Sequence, residues 1–165
     1  GLFQSLYGVD LAFAHRFDEA IVQYDAALVT NPKDGVALTG LISAHHHNRE
    51  HKQALDALSR YASALGYSEV TTFLAQTAAD ADYSATMRKA ADTLAARSRT
   101  TFVLPWDIAS WYAYAGDKNR SLDWLERAYE VRDPNLPYLW LPDFDFLRSD
   151  PRFRDLLQRM KLPAK

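Results

Sequence analysis

The chain has 165 residues, 48% apolar and 13% aromatic, enough for one ordinary domain with a sizeable core and too apolar for a disordered segment. Its 19 Lys and Arg against 21 Asp and Glu leave a formal charge of -2, which argues against nucleic acid as the main partner, because phosphate binding needs a basic surface. The absence of cysteine excludes disulfides, thiolate metal sites and cysteine nucleophiles, and no apolar run reaches the ~18 residues of a membrane span. No signal peptide is visible, so the cytoplasm is the favoured compartment, with the periplasm left open. A first residue of Gly1 rather than Met reads as a piece of a longer protein.

The first 34 residues set a ruler. A helix over 2–14 turns at His15 and Arg16 into a second, which starts near Phe17 or Asp18 and stops before Asn31 and Pro32. Ala20, Ile21, Tyr24, Ala27 and Leu28 recur at helical spacing and mark one buried face. Gly8 and Ala20 are small enough for the two helices to touch, and Tyr24 fills the space beside them. A shift of about 34 residues brings the ruler to Gly35, with Leu38, Leu41, Ile42, His45, Ala54, Leu58 and Tyr61 at matching positions and Gly66 as the stop.

A third, degenerate copy starts near Tyr67. Its first helix is expected over 69–81 with Phe73 and Leu74 inward, its turn at Asp82 and Tyr83, and Thr86, Ala90 and Thr93 in its second helix. A fourth starts near Phe102, with Pro105 in its first turn, Gly116 and Asp117 at the bend, and Ser121, Leu125 and Ala128 as the small, large and small positions. The copies therefore cover about 1–34, 35–66, 67–100 and 102–134, in a single domain over 1–165. Beyond Pro134 the ruler stops fitting. Residues 135–163 read as a cap over the last apolar face, with a short helical turn from Phe144 to Leu147 and a final helix from Pro151 to about Lys161. Phe153, Leu156, Leu157 and Met160 share one side of that helix.

Four such matches in series resemble the tetratricopeptide-repeat family, which implies an all-α fold of about four helix–turn–helix repeats in a right-handed superhelix with a C-terminal capping helix. Pro105–Ala109, Gly116–Lys118, Trp124–Tyr129 and Leu147–Phe153 further resemble the carboxy-terminal repeat region of multidomain bacterial regulatory proteins. Their amino-terminal effector is a winged-helix regulator, a nucleotide cyclase such as adenylate cyclase, or a Ser/Thr kinase. The resemblance implies a scaffold that binds a protein or peptide and catalyses nothing, with no cofactor and no metal. Self-association or autoinhibition of an effector is the alternative.

The resemblance also implies a concave groove lined by first-helix residues: Ser5, Val9, Ala12 and Phe13, then Thr39, Ser43, His46 and His47, then Trp106, Ser110, Ala113 and Tyr114. The partner-binding set drawn from these is Phe13, Ser43, His46, His47, Trp106, Ser110 and Tyr114. Phe13, Trp106 and Tyr114 serve equally well as packing residues. A terminal-carboxylate clamp of Lys and Asn, used by one subgroup, is not supported, because Ser5, Val9 and Gly40 hold those positions.

His47–His51 spells H-x-x-E-H, the string of one class of zinc peptidase. That chemistry needs one continuous helix, and the ruler puts the string in a turn, so a zinc hydrolase built on His47 and His51 is an outsider. The run His45–His47 reads as one packed histidine and two groove or surface ones, since helical neighbours point apart. The basic tail from Arg148 to Lys165 reads as a solvated helix face before it reads as a site for an acidic partner. No Gly-rich phosphate loop, G-x-S-x-G elbow or singled-out carboxylate pair supports catalysis.

Overall fold

Apolar residues at three- and four-residue spacing, with no proline between residues 33 and 104, favour helix over most of the chain. The computed structural model describes residues 1–78 and 80–162; it is all-α, with no strand among the described residues. Ala79 of the third copy, Pro163 at the end of the expected cap and Lys165 of the basic tail lie outside them. The chain divides into two compact units, Gly1–Ala81 and Asp82–Lys165.

The first unit contains α1 (Leu2–Phe13), α2 (Phe17–Thr30), α3 (Gly35–His47), α4 (His51–Ala64) and α5 (Ser68–Gln76). Helices α1 and α2 pair, α3 and α4 pair, and α3 packs on both α2 and α1. Tyr24 of α2 lies at the centre of this contact and is 1% exposed. A β-carbon at Gly8 of α1 would lie 2.5 Å from its Cε1, and one at Gly40 of α3 would lie 2.2 Å from its Cζ. The ring is therefore wedged between two backbones that approach closely only because both positions lack a side chain. The small residue Ala20 is fully buried, and so are Ala54 and Leu58 of the second pair.

The second unit contains α6 (Tyr83–Arg97), α7 (Pro105–Tyr114), α8 (Lys118–Glu130), 3-10 turns at Leu136–Tyr138 and Pro142–Leu147, and α9 (Pro151–Arg159). Its core joins Trp106, Leu125, Leu139, Phe144, Leu147 and Phe153. Asp150 caps α9 by accepting from the Arg152 N–H at 2.9 Å, and Lys118 lies 3.0 Å away. That backbone bond, and then the lysine, hold the Asp150 carboxyl below the usual range.

Helix ends repeat one device. His15, Arg49, Gly66, Gly116, Arg132 and Lys161 all have positive φ. At each, the next N–H reaches back five residues to a helix carbonyl, as in Arg16 to Leu11 at 2.9 Å and Glu50 to His45 at 2.8 Å. Four of the six are not glycine and hold a left-handed backbone that L-residues resist.

The third copy departs from expectation. Its first helix ends at Gln76 rather than near residue 81, Phe73 and Leu74 are half-buried, and Val70 alone is fully buried on it. Two local bonds account for the early stop. Thr77 Oγ1 bonds back to the Phe73 carbonyl at 3.0 Å, and Asp82, extended at ψ 124, caps α6 through the Ala85 N–H at 2.7 Å. Asp82 and Tyr83 thus start a helix rather than make the turn, and Tyr83 is buried. Thr93 is half-buried, while Met87 and Leu94 carry the packing. The final helix ends at Arg159, two residues before Lys161.

Gly40→Ala drives a methyl into the Tyr24 ring. Overpacking of this kind costs about 1–3 kcal/mol, more than the ~1 kcal/mol gained in helix propensity. Urea unfolding should show a net loss that adding Tyr24→Leu partly restores; a Gly40→Ala chain as stable as the parent would refute the wedge. Arg132→Gly relieves a left-handed backbone and should raise the melting temperature, by roughly 0.5–1 kcal/mol of stability.

Candidate partner-binding faces

The expected groove residues fall in both units. In the first, α1 and α3 present them side by side. Ser5 is fully buried, its Oγ donating at 2.8 Å to Asp34, which also caps α3 through the Ala37 N–H at 3.1 Å. Ala12 and Ser43 are buried, and Thr39 spends its hydroxyl on the Gly35 carbonyl at 2.8 Å. Phe13 stays open at 36% exposure, and His46 and His47 are half-buried.

The histidines belong to the ends of the hairpins. His47 stacks on Phe17 with ring centroids 4.6 Å apart and planes 8° from parallel, and His46 meets His47 edge-on at 5.2 Å. His15 adds an edge contact to Phe17 at 5.8 Å. Asn48 donates to Asp18 at 2.6 Å, tying the second turn to the first hairpin. His45, expected to pack inward as a substitute for an apolar residue, is half-buried and lies 2.6 Å from Glu50 through Nδ1. A polar ring at that position takes a carboxylate partner across the turn instead of entering the core.

The H-x-x-E-H string is split. His47 ends α3, His51 begins α4, and Arg49 between them has φ 61. The Glu50 carboxylate faces His45, and His51 is exposed. No group of three or more His, Asp or Glu among the described residues is placed to hold a metal ion.

In the second unit the expected groove residues are covered by the chain itself. Trp106, Ser110 and Tyr114 share one side of α7 at four-residue spacing, with exposures of 9%, 6% and 7%. The Pro142–Leu147 turn packs on α7. Phe144 meets Trp106 edge-on at 5.1 Å, and the Tyr114 hydroxyl donates to Asp143 at 3.1 Å. The Ser110 hydroxyl is buried without a protein hydrogen-bond partner.

Of the four carboxylates buried among the described residues, three organise these faces: Asp34, Asp133 and Asp143. Asp133 accepts from the backbone N–H groups of Trp106 and Asn135, each at 3.0 Å, and so joins the start of α7 to the exit of α8. In the sequence Asp133 stands beside Pro134 at the close of the fourth copy, and no motif singles out Asp34 or Asp143. An acidic residue just past a second helix, 27 or 29 residues after its partner in the first, is the trace this arrangement leaves. Burial pushes the Tyr83 phenol up, with Asp143 adding to it. Tyr112 is pushed up to about 12 by burial first and then by its bond to Asp92 at 2.6 Å.

The basic tail is largely engaged with acids of its own unit. Arg152 lies 2.6 Å from Asp123, and Arg159 bonds Glu126 at 2.6 Å while stacking over Tyr129. No helix among the described residues is long and apolar enough to cross a membrane.

No protein-family model, curated protein or solved structure matches this chain.

Tyr114→Phe leaves Asp143 buried without that donor and should cost about 1–3 kcal/mol in denaturant unfolding. An unchanged midpoint would show that the bond carries no stability.

Proposed function

We propose that the chain is a non-catalytic protein-binding module built from tetratricopeptide-type repeats, a scaffold within a larger bacterial regulatory protein. The partner is a protein or peptide segment docked on the first-helix face of the first unit, against Phe13, His46 and His47. One observation carries this reading: on that face Phe13 is 36% exposed and His46 and His47 are half-buried, while the counterpart Trp106, Ser110 and Tyr114 is buried beneath the chain's own Pro142–Leu147 turn. The repeat assignment is supported by left-handed turn residues 34 positions apart, His15 and Arg49, and by the glycine-accommodated tyrosine between paired helices. An open aromatic with neighbouring histidines offers apolar contact and hydrogen bonding to an extended or helical segment. Ser43, Trp106, Ser110 and Tyr114 then act as support beneath the surface, not as contacts.

Photo-crosslinkers at positions 13 and 47 in cells that express the protein test this. They should trap a partner that a crosslinker at Lys52, exposed on α4, does not, and Phe13→Ala with His47→Ala should abolish its capture while leaving the helical circular-dichroism signal intact. Equal trapping from all three positions would sink the reading, as would capture that survives the double change.

A further inference from the structure

More than half of the large apolar side chains exposed among the described residues lie on α1 and α2. Single exposed apolar residues need no explanation, but a contiguous set does. Phe3, Leu6, Tyr7 and Asp10 recur at three- and four-residue spacing and so form one stripe on α1. Phe3 is 89% exposed, Leu6 44% and Tyr7 48%. With Gln23 of α2 they line a groove of about 550 Å³, room for several side chains of an incoming helix. Neither Phe13 nor His47 lines this groove, and it does not depend on the surface proposed above.

Charge selects the occupant. The acidic residues of 1–30 are Asp10, Asp18, Glu19 and Asp25, and Arg16 is the single Lys or Arg among them. Arg16 is taken by Glu19 at 2.7 Å, and Asp18 accepts from Asn48. Asp10, inside the groove, has no hydrogen bond or ion pair from its carboxylate among the described residues. A symmetric contact with a second copy would bring Asp10 towards Asp10 within two acidic hairpins, whose one Lys or Arg each, Arg16, is already paired with Glu19. An anionic lipid surface is repelled for the same reason. A helix whose apolar stripe is flanked by Lys or Arg satisfies both features: its apolar residues enter between Phe3 and Tyr7, and a cation meets Asp10.

We propose that this outer face of the first hairpin docks a basic amphipathic helix of a partner protein. The test uses the full chain and a fluorescein-labelled peptide of about 16 residues, with Leu at i, i+3, i+4 and i+7 spacing and Lys elsewhere. The control peptide has the same composition in an order that forms no apolar stripe. Fluorescence anisotropy should show the patterned peptide binding about tenfold or more tighter than the control, and more weakly as salt rises. Asp10→Lys should weaken it about fivefold or more, and Phe3→Ala with Tyr7→Ala about tenfold or more, at unchanged helix content. Phe13→Ala with His47→Ala should leave it unchanged, which separates this face from the other. Equal binding of both peptides overturns the proposal, as does indifference to Asp10→Lys. A dimer in sedimentation that Phe3→Ala with Tyr7→Ala dissolves overturns it too, by assigning the face to a second copy.

Discussion

The first unit depends on one steric fit, the Tyr24 ring held between the backbones of α1 and α3. A tyrosine is large, and it stands where three helices meet. Space for it exists because Gly8 and Gly40 present no β-carbon, and each would otherwise lie well inside contact distance of the ring. The fit does more than fill volume. It sets how closely α1, which carries Phe13, and α3, which carries His46 and His47, approach α2. The buried Asp34, bonded to Ser5 and to the start of α3, fixes the same two helices at their other end. The aromatic stack of His47 on Phe17 and the Asn48 to Asp18 bond close the turn end.

The second unit solves a similar problem with a different part. Its α7 is buried along its whole length, because α6, α8 and the Pro142–Leu147 turn all pack on it. Phe144 takes the place beside Trp106, and Asp143 takes the Tyr114 hydroxyl. A polar group at that depth is tolerable only with a partner, and the chain supplies one from 29 residues downstream. The residues that the repeat pattern would offer to a ligand are spent on closing the unit's own core. On the corresponding side of the first unit, Phe13 keeps 36% exposure.

Much of this was legible in the residues. Apolar spacing located most helices within a few positions, and the alternation of small and large residues picked out Gly8, Ala20 and Tyr24 as a packing set. The break in H-x-x-E-H was also foreseeable, since the ruler places Arg49 at a chain reversal. The third copy was less readable. Its apolar positions remain helical in spacing to residue 81, but Thr77 bonds back to its own helix and Asp82 claims the next N-terminus, and such local competition leaves little periodic trace. The candidate surface was half readable: Phe13, Trp106 and Tyr114 look alike in sequence, and one is open while two are buried.

Sequence alone determined the helical class, the repeat spacing and the contacts made between neighbours along the chain, because periodicity and side-chain size act within a few residues of one another. Only tertiary structure decided which aromatic faces water, which carboxylate meets which hydroxyl, and that residues 142–147 lie on α7. Those outcomes rest on partners about thirty residues apart, where burial and hydrogen bonding depend on what the rest of the chain brings alongside.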